Sequence, residues 1–177
     1  NISLGGDISS AFINPAGLAQ FKTNEIVFSP GVYLNSDKMF YNDKTTKGKI
    51  TFLKELSKKL NIQVELVQSR AEEYIINHRE YFDVVVSRAV ATLSVLCEIS
   101  IPFVKINGYF IAMKGHEKEE LKNSLNAINE LGCKMIKDET FLLPIENSER
   151  TLIVLEKVKS TSEKYPRQYD KIIKKPL

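Results

Sequence analysis

The sequence is poor in the residues that hold metals or staple small folds. Two cysteines, Cys97 and Cys133, and two histidines, His78 and His116, are scattered through 177 residues. Cys97 sits among apolar residues of helical pattern and Cys133 follows a helix-ending glycine. Both read as free thiols of a reducing compartment, and no set of metal ligands can be assembled. No apolar run approaches the roughly 18 residues that span a bilayer as a helix, and no segment has the pattern of a secretory signal. A cytoplasmic location is the expectation. Glycine is scarce as well: the eight glycines never form the G-x-G-x-x-G or G-x-x-x-x-G-K patterns that let backbone approach a nucleotide. A self-contained nucleotide cradle is therefore not encoded.

What remains is the composition of an ordinary globular domain, 43% hydrophobic and 27% charged, long enough to bury a core. The formal charge is +3, unevenly spread. Residues 157–177 hold seven Lys/Arg and two Asp/Glu, a net of +5, so the rest carries −2. A basic tail suits a polyanionic partner; a solvated, frayed end is the alternative.

Composition also divides the chain near residues 42–44. Residues 1–43 hold only six charged residues but six of the sixteen Phe/Tyr and four of the eight glycines. Within them, residues 26–28 and 32–34 flank Ser29-Pro30-Gly31, either as two short strands around a turn or as one interrupted extended run. Residues 44–177 are lysine-rich and periodic. Ile50, Leu53, Leu56 and Leu60 predict a helix over 46–60, and residues 63–68 alternate like a strand. Residues 70–80 read as a short helix or loop. The run Val84-Val85-Val86 predicts a buried strand over 82–88. An amphipathic helix follows over 92–103, ended or bent by Pro102, and then a second buried strand over 108–114. Leu121, Leu125, Ile128 and Leu131 share one face of a helix over 117–131, with Gly132 suited to C′. Strands over 134–143 and 150–158, joined by a short turn, predict an antiparallel hairpin. Strand, crossover helix and strand over 82–114 put polar residues at the carboxyl ends of parallel strands, where open α/β sheets bind ligands.

QSRAEE (68–73), VSRAVATL (86–93), PFVKINGYFIAMKG (102–115), ERTLIVLEKVK (149–159), KYPR (164–167) and the terminal KKPL together resemble the bacterial small-subunit (16S) ribosomal RNA guanine-N7 methyltransferases, the glucose-inhibited division protein B family. The resemblance covers roughly three quarters of the chain. It implies an α/β fold: a Rossmann-like sheet of S-adenosyl-L-methionine-dependent methyltransferases, here truncated, with a C-terminal antiparallel hairpin. It implies a cofactor site at Ala71, Glu72 and Arg88. Ribosomal RNA or the small ribosomal subunit would be the partner, met by Lys114, Lys164, Arg167, Lys174 and Lys175, with Tyr165 and Tyr169 between the tail cations. No metal is implied. Glu72 also reads as a solvated charge at a helix start. Arg88 ends an apolar strand and needs a partner. No catalytic residue is assigned, since guanine N7 carries an in-plane lone pair and needs no deprotonation.

The chain departs from that family where it lacks the glycine-rich loop after a first strand and the acidic end of a second. The expectation is a gap beside the 82–88 strand and weak or no cofactor binding. The segment LGGDISSAFINPAGLAQFKTNEIVFSPGVYL, within residues 1–43, resembles instead the amino-terminal region of FadL-type outer-membrane β-barrel transporters. One short segment cannot close a barrel. Residues 1–43 are therefore expected to be a foreign, poorly packed segment, or to lend residues 26–34 as a substitute strand. A non-catalytic RNA-binding fragment and a barrel fragment stand as the alternative functions.

Overall fold

A computed structural model describes residues 25–28 (backbone only), 55, 58, 59, 61, 65, 67, 69–88, 91–115, 118–144 and 147–177, with the backbone alone at Arg88 and Lys118. Most of the expected helix over 46–60 and strand over 63–68 lies outside these residues. Glu55, Lys58 and Lys59 are helical, and Glu65 and Val67 carry no strand assignment. The barrel-like segment also lies outside them, apart from one strand.

Five strands form one sheet: β1 (Glu25–Phe28), β2 (Phe82–Arg88), β3 (Val104–Lys114), β4 (Cys133–Leu142) and β5 (Glu149–Lys157), in the order β1-β2-β3-β5-β4. β1, β2 and β3 run parallel, β5 runs antiparallel to β3, and β4 pairs antiparallel with β5 at the edge. The expected hairpin is present, with its second strand inside the sheet and its first at the rim. The place beside β2 is not a gap. Glu25, Ile26, Val27 and Phe28 pair in register with Val84, Val85, Val86 and Ser87, so the amino-terminal segment lends a strand to the same sheet.

Around the sheet lie α1 (Ala71–Tyr74), continued by a 3-10 turn (Ile75–Asn77), α2 (Leu93–Ser100), continued by a second (Ile101–Phe103), α3 (Lys118–Glu130) and α4 (Tyr169–Lys174). Pro102 lies in the 3-10 turn that ends α2, as its missing amide dictates. One apolar cluster joins all four helices to one face of the sheet: Ala71 and Ile75, Leu93, Leu96 and Ile99, Ala127 and Ile128, and Ile172 pack with Val85, Phe110, Ala112, Ile153 and Leu155. A second, smaller cluster of Val84, Val86, Ile111 and Leu152, flanked by Met113 and Phe141, lies on the other face. The split follows the period-2 alternation of strand side chains.

Two expectations need correction. α2 is not amphipathic in its setting: all eight of its residues are buried, because α3 and α4 cover the side turned away from the sheet. And β3 starts at Val104, four residues early. Asn107-Gly108, residues of turn chemistry, form an irregularity within the strand. Val104 pairs with Phe82, pairing resumes at Tyr109 with Val84, and Asn107 takes φ 67° between them. A Cβ at Gly108 would stand 2.6 Å from the Asp83 carbonyl oxygen, so only glycine lets the two strands close there.

Candidate functional site

The carboxyl ends of the parallel strands define one edge of the sheet. Phe28 lies opposite Ser87, Arg88 opposite Met113, and β3 ends one residue later at Lys114. This edge is built from Ser87-Arg88, Lys114 and the first turn of α2.

Lys114 does not project from it. Its side chain is only 9% exposed; Nζ donates to the Ala91 carbonyl at 2.7 Å and to Glu120 Oε1 at 3.2 Å, with Glu120 Oε2 at 3.0 Å. A buried ammonium requires such partners. Glu120, in the first turn of α3, also accepts the Leu93 amide at 2.5 Å. Sequence reasoning missed Glu120. The available signal was the charge ending an apolar strand, followed six residues later by an acid at a helix start. Ser87 was missed too. It is fully buried, and its Oγ has no hydrogen-bond partner, rare for a buried polar group and costly unless something answers it.

Ala71 is buried at the start of α1, and Glu72 follows in the first turn, where the helix end favours a carboxylate. The Glu72 side chain is partly exposed and meets Arg70 at 3.8 Å, a loose pairing that leaves its oxygens available. Arg88 ends β2 at the sheet edge; its side chain lies outside the described residues.

The tail is built into the fold and is not frayed. Tyr165 and Ile172 are buried in the main cluster. Arg167 makes a two-pronged contact with the fully buried Glu98 of α2, Nε to Oε1 at 2.7 Å and Nη2 to Oε2 at 2.6 Å, and its own amide donates to Oε1 at 3.0 Å. Lys164 pairs with Glu130 at 2.9 Å. That hydrogen bond and one from the Tyr165 hydroxyl hold the Glu130 carboxyl below the usual range. Arg79 Nη2 donates to the Tyr165 carbonyl. Lys157, fully buried, donates to the carbonyls of Ile101 and Val104 at 3.0 and 3.3 Å and pairs with Glu80 at 3.3 Å. Of the tail cations, Lys159, Lys164, Lys171, Lys174 and Lys175 are exposed, Lys164 while paired with Glu130.

Both cysteines are buried and free. Burial raises the Cys97 thiol well above its ordinary value and pushes Cys133 up to about 12. Among the described residues no cluster of His, Cys, Asp and Glu could hold a metal, and no helix is long and apolar enough to cross a membrane.

A parallel sheet with helices packed on it, closed by an antiparallel strand inserted next to the edge, is the Rossmann-like architecture of S-adenosylmethionine-dependent methyltransferases. A methyltransferase from Pyrococcus furiosus shares the fold, with a TM-score of 0.54 at 16% identity over 85% of this chain and 83% of that one. The family model for rRNA small subunit methyltransferase G matches residues 35–153. The ribosomal RNA small subunit methyltransferase G of Lactobacillus helveticus is 50% identical over 133 residues, 73% of this chain and 55% of that protein. The same-named protein of Alkaliphilus metalliredigens is 44% identical over 150 residues, 82% and 62% of the two chains. The chain belongs to the rRNA small subunit methyltransferase G family. It spans little more than half the length of these curated relatives.

Proposed function

We propose that the chain serves S-adenosyl-L-methionine-dependent methylation of guanine N7 in small-subunit ribosomal RNA, in the cytoplasm, and that it carries one wall of the cofactor site. The observation behind this reading is that the family match covers β2, α2 and β3, the elements whose junctions form the sheet's carboxyl edge. The residues present suit the cofactor's chemistry. Among the described residues, Ser87 offers a buried hydroxyl with no hydrogen-bond partner, and Glu72 a carboxylate in a loose pair with Arg70. Ala71 and Glu72 would meet the adenine through backbone and carboxylate, and Arg88 would close the crevice. When bound, the cofactor supplies an electrophilic methyl group on a sulfonium. The chain's task is then orientation and exclusion of water, which lowers the entropic part of the barrier; no side chain is asked to move a proton.

The sequence has no glycine-rich loop to form the opposite wall. Calorimetry of this chain with S-adenosylmethionine is expected to give a dissociation constant weaker than ~100 µM. Micromolar affinity would mean that another segment completes the pocket. No saturable binding even at millimolar cofactor would leave the second reading, an RNA-binding fragment without catalysis, which the docked tail and its exposed Lys171, Lys174 and Lys175 favour.

A further inference from the structure

We propose that Glu120 is a positioning residue for the sheet's carboxyl edge: its carboxylate, acting through the Leu93 amide and the Lys114 ammonium, fixes the start of α2 at residues 91 and 93 against the end of β3. The first amides of a helix need partners from outside it. At α2 the N-cap residue, Thr92, makes no side-chain hydrogen bond to them. Glu120, 27 residues further along the chain, supplies the acceptor for Leu93, where the helix dipole also favours a negative charge. The same carboxylate neutralises Lys114, and Lys114 in turn donates to the Ala91 carbonyl.

One ion pair thus holds residues 91 and 93 against the end of β3. The pair is shielded, with side chains 9% and 14% exposed, so salt screens it little. On the other side, Arg88 is fixed by its pairing with Met113. Arg88 at the end of β2 and Ala91 and Leu93 at the start of α2 are thus each tied to β3 or to the residues that follow it. Ser87, with its unanswered hydroxyl, sits directly before Arg88. By strand alternation Ser87 shares the sheet face of Val85, and Lys114 that of Ala112, so both belong to the α2 side. Lys114 acts here as a structural cation of the site and not as a contact for RNA phosphate.

The inference rests on the cofactor reading only for what the sheet's carboxyl edge holds. The clamp itself is testable without ligand, by nuclear magnetic resonance of the 15N-labelled chain. On lowering the pH, the Leu93 amide resonance is expected to follow the protonation of a single carboxylate. In Glu120→Gln that response disappears. Hydrogen exchange at Leu93 then rises about tenfold or more, from loss of a charge-assisted bond, while Val154 and Leu155 in β5 keep their protection. A Leu93 resonance indifferent to pH in the unaltered chain overturns the proposal whether or not the variant folds, and so does unchanged exchange in a folded variant. Addition of millimolar S-adenosylhomocysteine addresses the other question. Shifts at Ala71 and Ser87 support the cofactor reading, and silence there beside an intact pH response removes that reading and leaves the clamp.

Discussion

Glu98 stands in the middle of α2 with no solvent exposure, and Arg167, 69 residues away, meets it with both prongs of its guanidinium. A lone buried carboxylate is expensive; one answered by a forked cation and a backbone amide is tolerable. Arg167→Met leaves the Glu98 charge stranded and is expected to lower the unfolding free energy by about 3–5 kcal/mol, read as a fall in the urea midpoint at unchanged slope. Lys175→Ala, at an exposed position, should stay within about 0.5 kcal/mol. Equal small effects from both would show that the clasp contributes nothing. The sequence showed Arg167 only as one basic residue in a basic tail. Its partner was invisible because Glu98 lies on a helix that reads as amphipathic, where an acid looks like part of a solvated face. The partner of Lys114 was hidden for the same reason: charge is legible in sequence, but the group that neutralises it comes from another element.

At the scale of elements, periodicity carried most of the fold. β2, α2, α3, β4 and β5 fall within a few residues of where apolar spacing puts them. Where local chemistry misled, tertiary pairing had overruled it. Asn107-Gly108 carries turn residues but is pinned inside β3 by Asp83 and Val104, and the short strand read at residues 26–28 finds its partner only in β2. Gly132 was legible because φ 87° at a helix end favours glycine; a Cβ there would also stand 2.4 Å from the Lys159 carbonyl oxygen. Just beyond it, Glu80 ties three elements together. It accepts from Ser160 Oγ and the Thr161 amide and pairs with Lys157 at the end of β5. Partial burial pushes the Glu80 carboxyl up, but these hydrogen bonds and the Lys157 charge outweigh it and hold the pKa below the ordinary value. A depressed carboxyl stabilises the native state above its unfolded pKa of about 4.3, and that stability is lost as pH falls through the lower native value. Urea unfolding between about pH 3 and 7 should therefore show a smaller acid-dependent loss in Glu80→Gln than in the unaltered chain. The two curves would coincide if the network does not hold the charge.

For the molecule as a whole, the +5 tail on a −2 body suggested a polyanion-facing end, and the structure divides that charge into cations that pair with the body and cations, Lys159 among them, that are exposed. Lys157 is buried on Glu80, Arg167 lies on Glu98 and Lys164 on Glu130, so three of the seven cations hold the tail to the body. Lys171, Lys174 and Lys175 face outward on and after α4. Cutting the tail away is accordingly a poor test of RNA binding, since it removes Tyr165 and Ile172 from the core and would weaken binding by unfolding alone. Replacing Lys171, Lys174 and Lys175 together by alanine keeps the clasp and removes only the outward charge on and after α4. If that surface meets RNA phosphates, the slope of log affinity against log salt should become shallower by about 2–3, with an unchanged urea midpoint. A slope that stays the same at unchanged stability would move the nucleic-acid surface elsewhere. Under the methyltransferase reading that place is the carboxyl edge of the sheet, where target and cofactor have to meet.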